Sequence, residues 1–318
     1  MQRLLFAIVA AIAAIDVAWG FLGHFDVDVW AYARLAALSV ALAAGGVYYQ
    51  RVRRSDSLAA MLSATAFLIA FSAGFSLLNY FLLTIAGARI DDFLAEIDRS
   101  MGVNWPAMIA FASRHPLANL VLHVLYVSLL PQIAILAVCL AGSRHTAETY
   151  KFCVALAAGA GMTVAFWTLF PSFGAFSIYD VPHALSARLN LELDGTYAHD
   201  LVRLLMHGPG RISPGETKGL IGFPSYHATM AALVTWYARP LRWLRWPFLF
   251  ANIGVLIATP IHGGHHVVDV VAGIAVAVFA AWASASLARG SRSTAIVPDA
   301  LAGAFEPGQL GQTLATSR

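Results

Sequence analysis

Charge is scarce in this chain, and cysteine scarcer still. Acidic and basic side chains together make up 12% of the residues, lysine occurs only at Lys151 and Lys218, and the cysteines are Cys139 and Cys153. So small a charged fraction, beside 59% hydrophobic residues and a mean hydropathy of +0.70, excludes a water-soluble domain and makes lipid the solvent. The net charge of +3 comes from arginines clustered between apolar runs, a pattern that speaks against nucleic acid as a partner and suits membrane orientation. Both cysteines lie in apolar runs without C-x-x-C spacing and read as buried thiols rather than a redox or metal pair.

What is present is a series of long apolar runs. They cover approximately 4–23, 29–49, 58–86, 117–141, 152–170, 220–238, 246–260 and 265–288, each wide enough for a helix in hydrocarbon. The expected fold is therefore all-α, a polytopic membrane bundle of about eight transmembrane helices. Met1 to Gly20 reads as a retained first helix, because no small-x-small cleavage site follows it. Arg51, Arg53, Arg54, Arg144, Lys151, Arg239, Arg242, Arg245, Arg289 and Arg292 fall on one side, and most acidic residues on the other. By the positive-inside rule both termini are cytoplasmic, and the expected setting is a bacterial inner (plasma) membrane.

Residues 87–116 mix acidic and apolar residues as a helix at the outer interface does. Three segments are expected: N-terminal transmembrane helices with the outer interfacial helix over 1–149, a catalytic helical bundle over 150–290, and a disordered cytoplasmic tail over 291–318.

Two clusters carry chemistry, and the inferred topology puts both on the outer side. Pro224-Ser225-Tyr226-His227 opens the sixth run, where Pro is tolerated in a first helical turn and free amides with the Ser225 hydroxyl make an anion site. A helix cap with an interfacial His is the competing reading. In His262-Gly263-Gly264-His265-His266-Val267-Val268-Asp269, His265 and Asp269 are four apart and share a helix face. The carboxylate orients the imidazole and frees its other nitrogen for attack, unless the pair merely pins a helix end. Together the clusters supply a nucleophile, an acid and an anion cradle, enough for phosphoryl transfer through a phosphohistidine with neither metal nor cofactor.

These residues resemble the phosphatidic acid phosphatase type 2 (PAP2) superfamily, whose later motifs are P-S-G-H and then S-R, five residues, H, three residues, D. Pro224-Ser225-Tyr226-His227 matches the first with Tyr for Gly, and Ala258-Thr259 through His265 to Asp269 keeps the second's spacing without its Ser-Arg. The resemblance implies His265 as nucleophile, Asp269 as its orienting partner, His227 as general acid and Ser225 as a phosphate ligand. With Thr259 where the family has its phosphate-binding Arg, Arg211 and Lys218 are the nearest replacements in sequence, with Arg203 weaker and Tyr226 beside them at the substrate. A P-S-x-H with an aromatic at x and an H-H-x-x-D ending is most similar to the inositol phosphorylceramide synthase branch. That branch moves a phosphorylated head group from one lipid to another. The implied substrate is a phospholipid or other lipid phosphate, and the acceptor a lipid, a polyol or water. The first four runs match only loosely, at Asp98-Arg99 and Trp105-Pro106.

Two rival readings stand beside this one. His262-Gly263-Gly264-His265-His266 also spells the H-x-x-H-H box of membrane di-iron hydroxylases, although no further such box occurs. A lipid-binding protein without catalysis is the other. Asp16 and His123 are polar groups at apolar depth, explained by helix packing or by a substrate role. Asn79, Gln132 and Tyr126 read as interhelical hydrogen-bonding residues, and Trp243 and Trp246 as a cytoplasmic interfacial anchor.

Overall fold

A computed structural model describes residues 1–182, 185, 189, 191, 195–217 and 219–302. The described residues form an all-helical bundle without strands: α1 (Gln2–Leu22), α2 (Val29–Arg51), α3 (Asp56–Leu82), α4 (Asp91–Ser100), α5 (Trp105–Arg114), α6 (Pro116–Val127), α7 (Leu129–Gly142), α8 (Thr146–Leu169), α9 (Gly195–His207), α10 (Tyr226–Tyr237), α11 (Arg245–His262) and α12 (Val267–Ala302). Of the expected tail, 291–302 continues α12 and 303–318 lies outside the described residues.

Among the described residues, five helices are long and apolar enough to cross a membrane: α1, α2, α3 with the turn that extends it to Ile85, α8, and α12 as far as Gly290. A sixth crossing forms if α6 and α7 count as one broken span, bent by 46°. Pro131 lies in the first turn of α7, where its missing N–H and its ring prevent continuation from α6, so the bend has a covalent cause. The expected count of eight is not reached on this measure, for two physical reasons. Leu220 to Ser225 are apolar yet non-helical, which leaves α10 with 12 residues, about 18 Å of helix against a hydrocarbon core of about 30 Å. The 18-residue α11 carries Arg245, Asn252 and His262 within its length.

Burial separates a core from a lipid-facing shell. In α8, 61% of the span is buried against 11% in α1 and in α2, so α8 is the axis of the bundle. Phe152 and Leu156 of α8 share one apolar cluster with Phe67 of α3, Leu136 of α7, Leu233 of α10, Val255 of α11 and Ala277 of α12. Trp30, Phe21 and Trp282 by contrast are at least two-thirds exposed, an arrangement that hydrocarbon accepts and water does not.

The expected interfacial segment is two short helices at right of way to the site rather than one. Asn104 caps α5 by accepting from the Ala107 N–H at 3.0 Å, and Trp105 is buried with its Nε1–H donating to the Pro260 carbonyl of α11 at 2.8 Å. The loop after α8 then meets the loop before α12 backbone to backbone. The Ala175 N–H donates to the Gly264 carbonyl at 2.6 Å, and a Cβ on Gly174, whose φ is +77°, would lie 2.2 Å from that same oxygen. Only glycine permits this approach. Gly174→Ala is therefore expected to cost about 1–3 kcal/mol, while Gly210→Ala, with open space around it, stays within about 0.5 kcal/mol. Thermal unfolding of both variants in detergent checks this, and equal melting temperatures would refute it.

Candidate active site

The two chemical clusters come together because α10 and α12 are locked at their N-terminal ends. The Ser225 N–H donates to the backbone carbonyl of Asp269 at 3.0 Å, and the Thr229 hydroxyl to the carbonyl of Gly273 at 2.9 Å. A Cβ at Gly273 would sit 2.3 Å from the Ser225 carbonyl, so the crossing needs glycine there. Ser225 is the N-cap of α10, its hydroxyl accepting from the Ala228 N–H at 3.3 Å. Pro224 thus stands just outside the helix rather than in its first turn.

The same hydroxyl lies 3.3 Å from Nε2 of His265, and Nδ1 of His265 lies 3.1 Å from Oδ2 of Asp269. Asp269 and Ser225 are fully buried and His265 is 5% exposed. Asp269 fixes the tautomer: Nδ1–H donates to the carboxylate and the Nε2 lone pair faces Ser225. Burial and then the charge of the neighbouring His266 push the His265 pKa down to about 4, so the imidazole is neutral at physiological pH and its Nε2 is free to attack.

His227 reaches the site from the first turn of α10, half-buried, with Tyr126 of α6 stacked on it at 4.6 Å between ring centres and 10° between planes. A single point above Gly263 lies 2.8 Å from the Tyr126 hydroxyl and 3.0 Å from Cδ2 of His265. Tyr126 therefore lies beside the space that the two imidazoles share, and burial and then the nearby His265 push the His227 pKa down to about 3. The sequence suggests an interhelical hydrogen bond for Tyr126; its stacking on His227 is not legible there.

Behind His265 is a buried ionic buttress that the sequence reading missed. His266 is fully buried, with Nε2 3.9 Å from Asp91 Oδ1 and Nδ1 3.8 Å from Asp98 Oδ2. Asp91 also accepts from the Ser172 hydroxyl and from the amides of Phe173 and Gly174 at 2.8 to 2.9 Å, and from Arg89 at 2.8 Å. Asp98 accepts from the Val267 and Val268 amides at 2.8 and 2.9 Å, capping α12 from another helix. Burial, the largest influence on Asp91, works to raise its pKa; the adjacent His266, the Arg89 charge and the Ser172 hydroxyl outweigh it and hold the carboxyl below the usual range. For His266 burial pushes down, but Asp91, Asp269 and Asp98 prevail and raise its pKa. One signal was available. Asp91, Leu94, Ala95 and Asp98 fall at i, i+3, i+4 and i+7, which sets two carboxylates on the apolar face of α4.

Other expected residues are not brought to the histidines. Tyr226 points into the core, its hydroxyl donating to the Leu156 carbonyl of α8 at 3.1 Å, because the helical turn that aims His227 at the site carries its neighbour the other way. Arg211 is 62% exposed and pairs with Asp28 at 3.2 Å, drawn there by the pairing of the 208–217 loop with the α1–α2 turn. Arg203, also exposed, faces Asp200. Lys218 lies outside the described residues. Thr259 spends its hydroxyl on the Val255 carbonyl within α11. The three histidines of the H-x-x-H-H box diverge: His262 packs edge-on to His123 at 5.2 Å, His265 faces Ser225, and His266 sits between two aspartates. They do not form a common ligand set, and among the described residues no group of three or more His, Cys, Asp or Glu side chains has metal-holding geometry.

A family model described as the PAP2 superfamily matches residues 92–283, more than half the chain. No curated protein and no solved structure matches it.

The ionic buttress dictates a pH dependence. His266, with its raised folded pKa, contributes stability that is complete below its ordinary value of 6.5 and disappears as pH rises through the folded value. Asp91, with its lowered pKa, contributes above 3.8 and loses that contribution as pH falls through its folded value. Melting temperatures in detergent from about pH 6 to about pH 9 should fall more steeply for the wild type than for His266→Gln. Parallel curves would show that His266 carries no charge in the folded protein.

Proposed function

We propose that this chain, which belongs to the PAP2 superfamily of phosphatases and phosphotransferases, moves a phosphorylated head group between lipids through a phosphohistidine on His265. The observation that carries the reading is the buried line from Asp269 through His265 to Ser225, with distances of 3.1 and 3.3 Å.

Nε2 of His265 attacks the phosphorus of a lipid phosphate, displacing its resting contact with Ser225. As the N–P bond forms, the imidazole becomes cationic, and Asp269 stabilises that charge across the Nδ1–H. The P–O bond to the leaving group breaks, and His227, which burial and then the nearby His265 keep neutral in the empty site and which takes up a proton as the anionic phosphate enters, delivers that proton to the departing oxygen. Neutral His227 then takes the proton of an acceptor hydroxyl, whose oxygen attacks phosphorus and releases His265. The phosphoryl oxygens have the Ser225 hydroxyl and the first-turn amides of α10 to meet them, the positive end of a helix dipole. A lipid or polyol acceptor makes the enzyme a transferase of the inositol phosphorylceramide synthase kind; water makes it a lipid phosphatase.

The membrane orientation proposed here is cytoplasmic termini with the site on the opposite side, supported by the arginine-rich turns. These include the α2–α3, α7–α8 and α10–α11 connections, at the end of the bundle away from His265.

His265→Ala and His227→Ala should each lower turnover about a thousandfold or more, and Asp269→Asn about ten- to a hundredfold. A lipid phosphate with a nitrophenol leaving group needs no proton and should restore much of the His227→Ala loss. Acid-labile phosphorus label should be trapped on wild-type protein and absent from His265→Ala. Turnover that survives His265→Ala sinks the mechanism. With labelled phospholipid, product that depends on an added alcohol supports transfer, whereas free phosphate irrespective of alcohol makes the protein a phosphatase.

A further inference from the structure

A second feature lies outside the matched residues, among α1, α2 and α3. These helices enclose a cavity of about 830 Å³, within the range of small-ligand sites. Its lower walls are Val9 and Ala13 of α1, Ala36 of α2 and Ala70 and Ala73 of α3, small apolar residues that leave room for a chain. Its upper part holds Asp16 and Tyr32. Asp16 is 7% exposed, and neither its Oδ1 nor the Tyr32 hydroxyl has a hydrogen-bond partner among the described residues. A buried carboxyl and phenol left unpaired in an apolar wall are costly, so their occurrence on one cavity points to a ligand that pairs them.

Depth gives the ligand its orientation. Asp16 lies about 9 Å below the end of α1, Tyr32 about 5 Å into α2, and Val9 about 20 Å down. The cavity is thus polar near one membrane surface and apolar through the rest of a leaflet, about 15 Å of hydrocarbon. The lining residues His24 and Val27 at its polar end lie beside the loop that leads on to Ser225. Val27 pairs with Ile212, and the Asp28 N–H donates to the Ile212 carbonyl at 2.9 Å, in the loop that leads on to Ser225. A hydroxyl is the simplest group that both donates to a carboxylate and accepts from a phenol.

We propose that the α1–α3 cavity is a lipid-binding site for an amphiphile with one alkyl chain and a hydroxyl at the level of Asp16 and Tyr32. Resting on the transfer reaction proposed above, it holds the acceptor class of that reaction before the hydroxyl reaches His265.

The test uses the full-length protein in nanodiscs and hexadecanol bearing a diazirine beside the hydroxyl, with the corresponding methyl ether as control. The alcohol should label α1 and α2 at the cavity about tenfold more strongly than the ether, the worth of one buried hydrogen bond. Asp16→Leu should abolish that preference, Asp16→Asn should retain most of it, and Ala73→Phe should block labelling by both probes. Equal labelling by alcohol and ether, or labelling indifferent to Asp16→Leu and Ala73→Phe, overturns the proposal and leaves only bulk lipid on an apolar face. His265→Ala should label as the wild type does, which separates this site from the catalytic reading. A wild type that labels as expected yet phosphorylates no alcohol refutes the acceptor role while the lipid site stands.

Discussion

One residue ties the candidate site together. The carboxylate of Asp269 is shared between Nδ1 of His265 and the backbone N–H of His266, while its own carbonyl accepts the Ser225 amide. The first contact sets the tautomer of the proposed nucleophile, the second fixes the turn that presents it, and the third brings α10 with Ser225 and His227 to the same place. No one of these survives displacement of the start of α12 by an ångström, since each is a hydrogen bond near its ideal length. The backbone contact of the 172–176 loop with Gly264 and the capping of α12 by Asp98 both hold that start in position.

Holding it with charge has a cost that packing alone does not incur. Asp91, Asp98 and Asp269 lie within a few residues' width of one another, all buried, and an isolated carboxylate there is strongly disfavoured. The cluster is tolerable because Asp91 accepts from amides of the 172–174 loop and from Arg89, Asp98 from amides of α12, and the His266 ring lies 3.8 to 3.9 Å from both, while Oδ1 of Asp269 is left without a hydrogen bond among the described residues. Hydrogen bonds to fixed backbone amides need no reorganisation, so the carboxylates are solvated by the fold itself. Helix α4 is thereby part of the site rather than a lid over it.

Much of this was readable from the chain and some was not, and the difference is physical. Apolar runs announced helices, and the spacing of His265 and Asp269 announced their contact, because both depend on local periodicity. The span count departs from the measured one where apolar sequence does not mean helix: Leu220 and Ile221 are apolar because they pack against Phe81, Trp167 and Phe173, and the run at 117–141 conceals a break at Ser128 that Pro131 imposes. Tyr226 was misread because neighbours on a helix point about 100° apart, so a motif's adjacency says nothing about a shared target. Arg211 was chosen by nearness in sequence, and its partner, Asp28, comes from a turn nearly two hundred positions earlier. The mixed composition of 87–116 reads as an interfacial helix, whereas the place of Asp91 and Asp98 on the apolar stripe of α4 argues for burial.

Thr259, where the motif that the sequence resembles carries an arginine, leaves an electrostatic problem to be met elsewhere. Thr259 is sealed inside α11, so compensation at that point of the helix is closed off. A phosphate beside His265 meets a neighbourhood already rich in carboxylates, and its arrival is repelled unless those charges are spent elsewhere. Here they are: Asp91 is engaged by Arg89 and His266, Asp98 by His266 and the end of α12, and Asp269 by both histidines. His266 therefore bears on the proposed phosphate site without touching it. Its raised pKa favours the charged form that offsets the carboxylates behind the proposed nucleophile, and the dipole of α10 is left as a positive field on the side where phosphoryl oxygens would lie.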